Sequence, residues 1–170
     1  MSEGGLNPLL RRSMMIVALV FVLDQATKHF VLYGLDFISQ PEGYRIAVMP
    51  FFDLAMVWNR GISYGLLQAG SAFERWLLVI VSASLIAVLV WWLLTIKERL
   101  LAIAIAMMIG GALGNLVDRV LYGAVADFFL LHAFSFEWYV FNIADSAIVL
   151  GVALMAYDVL FLNRPAKDTG

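Results

Sequence analysis

The sequence predicts an all-α membrane protein with four transmembrane helices, a small extracytoplasmic β-sheet and a short interfacial helix. Three observations lead there. First, 63% of the residues are hydrophobic and only 14% are charged, whereas soluble domains carry about 45–50% and about 25%. Second, the apolar residues gather into four runs long enough to cross a hydrocarbon core, which takes about 20 residues per helix. Third, ionisable residues recur inside or just beyond those runs. An ionisable residue within a span costs about 2.5–3.5 kcal/mol on insertion scales, so each marks function by default. At 170 residues the chain is one domain, 1–170. The absence of cysteine excludes disulfides, thiolate metal sites and a cysteine nucleophile. A net charge of -2 offers no basic face, so no nucleic-acid partner is expected.

The first helix is expected over about 13–33. Arg11-Arg12 before an apolar run has the look of a signal-peptide start. The run is long, however, holds Asp24 and Lys28, and lacks a small-x-small cleavage site, so it is read as a retained helix. Asp24 and Lys28 stand i, i+4 in the favourable order, a structural ion pair. The segment that follows, about 34–72, is not plain linker. Ile46, Val48, Leu54, Met56 and Trp58 alternate with other positions, and Pro41-Glu42-Gly43 and Met49-Pro50 punctuate the run, the pattern of short antiparallel strands. Gly61 to Ala69 is expected as the short interfacial helix.

The second helix is expected over about 73–95 and the third over about 100–121. In the third, Gly110 and Gly114 form a small-xxx-small pair that lets another helix approach closely. Asn115, Asp118 and Arg119 share one face near its end, although Asp118 with Arg119 also reads as an ordinary juxtamembrane charge cluster. Gly123 ends the helix and turns the chain back. Within the second outer segment, about 122–137, Val125 to Leu131 is strand-like and can join the first strands. The fourth helix is expected over about 138–162, with Asn142, Asp145 and Ser146 on one face near its start. That start leaves Asp145 about two turns in, too deep for a capping role.

Orientation follows from Lys and Arg. Arg11 and Arg12, then Lys97 and Arg99, then Arg164 and Lys167 all fall on one side, the cytoplasm, with both termini there. Arg45, Arg60 and Arg75 lie opposite, so the bias is modest. This topology brings Asp24 and Lys28, Asn115, Asp118 and Arg119, Asn142 and Asp145, and the loop residue Asp127 to one depth. Two carboxylates converging there, Asp127 and Asp145, suggest acid/base chemistry at a membrane surface. Other motifs carry less. Gly61-Ile62-Ser63-Tyr64-Gly65 fits G-x-S-x-G, which has meaning only on a strand–turn–helix elbow that this chain cannot build. His29 and His132 lack an H-E-x-x-H context, so no metal is expected. A Ser–Lys dyad through Lys28 competes with Asp24 for the same ammonium. A non-enzymatic alternative also stands: a proton-coupled transporter subunit or an assembly partner. Against it, the polar groups are confined to one end, with no counterpart to carry a path across.

Five blocks, in order, carry a family resemblance. They are Asp24-Gln25-Ala26-Thr27-Lys28, Asn59-Arg60-Gly61, Gly110 to Arg119 (GGALGNLVDR), Gly123-Ala124-Val125-Ala126-Asp127-Phe128, and Phe141-Asn142-Ile143-Ala144-Asp145-Ser146. Over essentially its whole length the chain resembles bacterial lipoprotein signal peptidase (signal peptidase II). The resemblance implies a four-helix aspartyl endopeptidase of the bacterial inner membrane, multi-pass, with its site facing the periplasm. It implies a cofactor-free enzyme that removes the signal peptide of a diacylglyceryl-modified prolipoprotein just before the lipidated cysteine. Asp127 and Asp145 would be the catalytic dyad. Asn59, Gly61, Asn115, Arg119, Asn142 and Ala144 would line the site or hold substrate, with Asp24 and Lys28 as support. The outer sheet and interfacial helix would cradle the lipid-bearing substrate, and cyclic peptides of the globomycin type would block the cleft. Two departures, Ile62-Ser63-Tyr64-Gly65 where Ala and Phe are common and Ala126 where Val is usual, imply altered pocket packing with the chemistry intact.

Overall fold

A computed structural model describes residues 7–62, 67–68 and 72–162. Four helices are long and apolar enough to cross a membrane: α1 (Pro8–His29), α2 (Ala72–Thr95), α3 (Arg99–Tyr122) and α4 (Ile143–Phe161). The chain is therefore a multi-pass membrane protein. Helix α1 begins at Pro8, ahead of the expected start near 13, because a cap rather than hydropathy sets it. The Asn7 side chain accepts from Leu9 N at 3.0 Å and Pro8 occupies the first helical positions. A π-helical turn, Phe30–Gly34, extends α1 into a span of 27 residues.

Helix α3 is the hub, packing against α1, α2 and α4. Half of its most apolar window is buried, against 17–28% in the other spans. Small side chains make this possible: Ala102, Ala104, Ala106, Gly110, Gly111 and Gly114 are all buried. A Cβ on Gly110 would meet Val17 O and Val20 of α1, and one on Gly111 would strike the Ala144 carbonyl of α4. Both helix seams thus need glycine, because lipid tails supply no hydrophobic drive to force bulkier side chains together. Gly123 takes φ +78 at the C-cap and its N–H returns to Arg119 O, so α3 stops where expected.

The strands are β1 (Arg45–Met49), β2 (Phe52–Asn59), β3 (Gly61–Ile62), β4 (Leu67–Gln68), β5 (Val125–Ala133) and β6 (Phe136–Glu137). An antiparallel sheet runs in the order β1-β2-β5-β6, so the strand-like run after Gly123 does join the first pair. Along β5, Ala126 and Phe128 face the sheet core with Val31, Leu32, Phe37 and Met56. Asp127 must then point the other way, since alternate side chains take opposite faces. Ala126 accordingly lies in the core behind the sheet.

Two expectations need correction. The segment Gly61 to Ala69 shows strand where it is described: Gly61–Ile62 pairs antiparallel with Leu67–Gln68. Residues 63–66 and 69, including Ser63 of the G-x-S-x-G pattern, lie outside the described residues, as do Arg164 and Lys167. Gly61 at the start of this stretch is a poor helix former. The second correction concerns α4, which starts at Ile143 and not near 138. Phe141 exchanges backbone hydrogen bonds with Phe129 at 2.8 and 3.0 Å, and Trp138 N donates to Leu131 O at 2.8 Å. The aromatic run before α4 is extended because the sheet satisfies its backbone.

Candidate active site

The floor of the site is a buried ion cluster between α1 and α3. Lys28 Nζ lies 2.8 Å from Asp24 Oδ2 and 2.8 Å from Asp118 Oδ2, with all three side chains at most 3% exposed. It also donates to Asn115 Oδ1 at 3.1 Å. The pairing of Asp24 with Lys28 was legible from spacing. The role of Asp118 was not, since it turns to Lys28 and away from the adjacent Arg119. Gln25, which carried no expected role, spans the two carboxylates and reaches Gly114 O. Among the described residues Lys28 bonds these two carboxylates and Asn115, and no hydroxyl.

These charges do more than pair. Asp24 Oδ1 accepts from Ala144 N at 2.9 Å, which ties α1 to the first turn of α4. Asp118 Oδ2 accepts from Ala126 N at 3.1 Å, which ties α3 to β5. Ala144, fully buried, therefore contributes its amide and a small side chain at the α3 seam. The two elements that carry Asp127 and Asp145 are thus each held to the buried cluster by one charge-assisted hydrogen bond.

Above the floor the two carboxylates meet a ring of asparagines. Asp127 Oδ1 accepts from Asn142 Nδ2 at 2.7 Å and its Oδ2 from Asn59 Nδ2 at 3.0 Å. Asp145 Oδ1 accepts from Asn115 Nδ2 at 2.8 Å and its Oδ2 from Asn142 N at 3.3 Å. Asn142 Nδ2 also reaches Asn115 Oδ1 at 3.2 Å, closing the ring. Asn59 is itself aimed by Gly61 N, which donates to its Oδ1 at 3.3 Å. Asn142 is the hinge of the arrangement, because it touches both carboxylates at once.

Here the reading of Asp145 changes. It occupies the third position of α4 in a capping box: Asp145 N donates to Asn142 Oδ1 at 2.9 Å while its carboxylate takes Asn142 N. Capping was set aside on the assumption of a start at 138. The Asn-x-x-Asp spacing at 142–145 was the signal that could have found it. The box locks both side chains into one rotamer pair and leaves Asp145 half-buried beside Asn115.

Asp127 is 2% exposed. Burial first, then the negative charge of Asp145, pushes its pKa up to about 7, against the pull of Asn59, Lys28 and Asn142. Arg119 lies within electrostatic reach of Asp127 and Asp145. Its Nη1 donates to Asn115 O at 3.4 Å, whereas its buried Nε has no protein partner. A planar cation with a spare buried donor beside two carboxylates is suited to a carbonyl or an oxyanion. No group of three or more potential metal-ligating side chains occurs among the described residues.

Two further features went unread in the sequence. Arg75 at the start of α2 donates to Arg119 O at 3.0 Å and to Val120 O, closing the last turn of α3. On the sheet, Arg45 bonds Asp53 and, at 2.6 Å, Glu137, while His132 Nε2 lies 3.2 Å from Asp53. Burial works to raise the pKa of Asp53, but the contacts from Arg45 and His132 outweigh it and hold it below the usual carboxylate range. Arg45 and Asp53 are diagonal neighbours in the β1–β2 register, so the hairpin pairing was the available clue.

Known proteins resemble this chain over most of its length. The family described as "Signal peptidase (SPase) II" matches residues 16–161. A protein named "Lipoprotein signal peptidase" from Methylorubrum extorquens (strain PA1) is 46% identical over 157 residues, 92% of this chain and 88% of that one. Its namesake in Beijerinckia indica subsp. indica is 49% identical over 154 residues, 89% of this chain and 90% of that one. A solved structure titled as a bacterial membrane enzyme, determined by the in meso method, superposes with a TM-score of 0.78 at 27% identity, covering 95% of this chain and 94% of that one.

Proposed function

The chain belongs to the signal peptidase II family, and on that footing we propose that Asp127 and Asp145 act as an aspartyl dyad that cleaves lipidated prolipoproteins. The family is one of peptidases, so the transporter or assembly-partner alternative is not favoured. The observation that carries the aspartyl reading is Asn142, which hydrogen-bonds both carboxylates and so holds them as one unit.

Two neighbouring carboxylates cannot both ionise cheaply, so near neutral pH the pair shares a proton. The pair titrates as a unit, and the upward shift of Asp127 favours that carboxyl as the proton's main seat. Asp145, which accepts from Asn115 Nδ2 and Asn142 N, then serves as general base. It takes a proton from water while the water oxygen attacks the scissile carbonyl carbon. Asp127 gives its proton to the carbonyl oxygen, and Arg119 Nε faces the charge that develops there. Collapse of the tetrahedral species breaks the C–N bond: the amine leaves with the proton that Asp145 acquired, and one hydroxyl of the gem-diol returns its proton to Asp127 as the carboxyl product forms, which restores the dyad.

Substrate class and setting follow from the same family reading. The substrate is a diacylglyceryl-modified prolipoprotein, cut before its lipidated cysteine. Its signal helix lies among the spans, and the sheet shelters the lipid-bearing residue. The site faces the periplasm from the inner membrane, with both termini cytoplasmic, and cyclic peptides of the globomycin type occupy the cleft. The test is processing of a diacylated precursor peptide by purified protein without added metal. Asp127→Asn and Asp145→Asn should each remain folded and lose processing by about 10²–10⁴-fold, the order expected when a general acid or base is removed. Near-normal processing by either variant removes the dyad.

A further inference from the structure

The described structure has a concavity far from the carboxylates. A groove of about 600 Å³ runs along α1 and the start of α3, walled by Met15, Ile16, Leu19 and Ile103 and bordered by Arg12 and Arg99. It lies at the end of the bundle where α1 and α3 begin, whereas Asp24 and Asn115 stand toward their other ends. Any lipid-facing groove fills with acyl chains. The two arginines set this one apart. Both are exposed, and among the described residues neither forms an ion pair with a carboxylate. Arg99 is also the first residue of α3, whose N-cap residue Glu98 makes no side-chain capping bond; its carboxylate accepts instead from Lys97 N at 3.2 Å. The positive end of a 24-residue helix therefore adds to the two guanidinium groups.

We propose that this groove binds an anionic glycerophospholipid of the leaflet in which α1 and α3 begin. One acyl chain lies along Ile16, Leu19 and Ile103, and the headgroup phosphate sits between Arg12 and Arg99, which match its geometry as planar forks. Charge argues against the substrate's own signal helix as the occupant. A secretory signal begins with a basic region at the end remote from the cleavage point, and Arg12 and Arg99 would repel it. The site fixes the bundle end that carries no polar layer and has no part in the chemistry.

The test is native mass spectrometry of the whole protein released from nanodiscs containing equal amounts of phosphatidylglycerol and phosphatidylcholine with the same chains. The parent protein should retain one phosphatidylglycerol in preference. Arg12→Gln with Arg99→Gln should weaken that retention about thirtyfold, about fivefold for each arginine near an anionic headgroup. Ala18→Trp, which fills the groove from an exposed position, should weaken it also. Retained processing of a lipidated precursor in these variants establishes that they fold. Equal retention of the two lipids by the parent protein overturns the proposal. So does unaltered retention in the double variant or in Ala18→Trp, and so does displacement of the lipid by the lipidated precursor itself.

Discussion

Asp127 is raised by two separable influences, burial and the charge of Asp145, and each leaves its own trace in pH. Because the folded pKa lies above the ordinary 3.8, stability from this group is complete below about pH 4 and fades as pH rises through about 7. Processing should fall over the same upper range as the shared proton leaves. In Asp145→Asn the neighbouring charge is gone, so the fade should be smaller and centred lower. The thermal midpoint followed from pH 4 to 8 reads this directly, and superimposable curves for parent and variant would refute the coupling. Lys28 presents the converse case. It is the common partner of Asp24 and Asp118 in a dry setting, and removing one member of a buried ion pair costs about 3–5 kcal/mol. Lys28→Gln should therefore lower the unfolding midpoint in detergent strongly, with processing lost because the Ala144 and Ala126 anchors loosen together. The site's members were legible because ionisable residues in an apolar chain have few roles. Their partners were less so, since Asp118 can face Lys28 or Arg119 on helix spacing alone.

Glycine at the α3 seams decides how closely α1 and α4 approach, and so where Asp145 sits. A Cβ at Gly111 would enter the Ala144 carbonyl, which is backbone and cannot turn aside. Gly111→Val should therefore push α4 outward, at a cost of about 1–3 kcal/mol. It should also lower processing about 10²-fold, the effect expected of a misplacement of about 1 Å. Val88→Ala on the lipid-facing side of α2, where Val88 is 55% exposed, serves as the control that changes neither. A Gly111→Val enzyme with full processing would mean that the seam does not set the site. The helices were readable to within a few residues except where hydropathy is blind to hydrogen bonding. Trp138 to Phe141 are as apolar as a helix start, yet Phe129 and Leu131 hold three of their backbone groups in the sheet. Gly61–Ile62 and Leu67–Gln68 were misassigned for the opposite reason, since a strand of two residues has no period to read.

The molecule consists of two apolar cores separated by one polar layer. One core, around Ile86, Leu89, Ile105 and Ile109, holds the spans together. The other, around Leu32, Phe37, Met56 and Phe128, fastens the sheet to the end of α1. Asp127 belongs to the sheet by chain and to the bundle by hydrogen bonding, so it reports on both. Phe128 is fully buried beside it, and deleting such a ring costs about 3–5 kcal/mol. If the cores are independent cooperative units, Phe128→Ala should open the sheet and leave the spans intact. Hydrogen exchange should then accelerate across 125–131 while 102–116 stays protected, with helicity unchanged and processing lost because Asp127 loses its backing. Uniform acceleration across both segments would instead make the sheet and the bundle one folding unit. In that case the buried Lys28 cluster, which reaches Ala126 through Asp118, would be the link that makes them one.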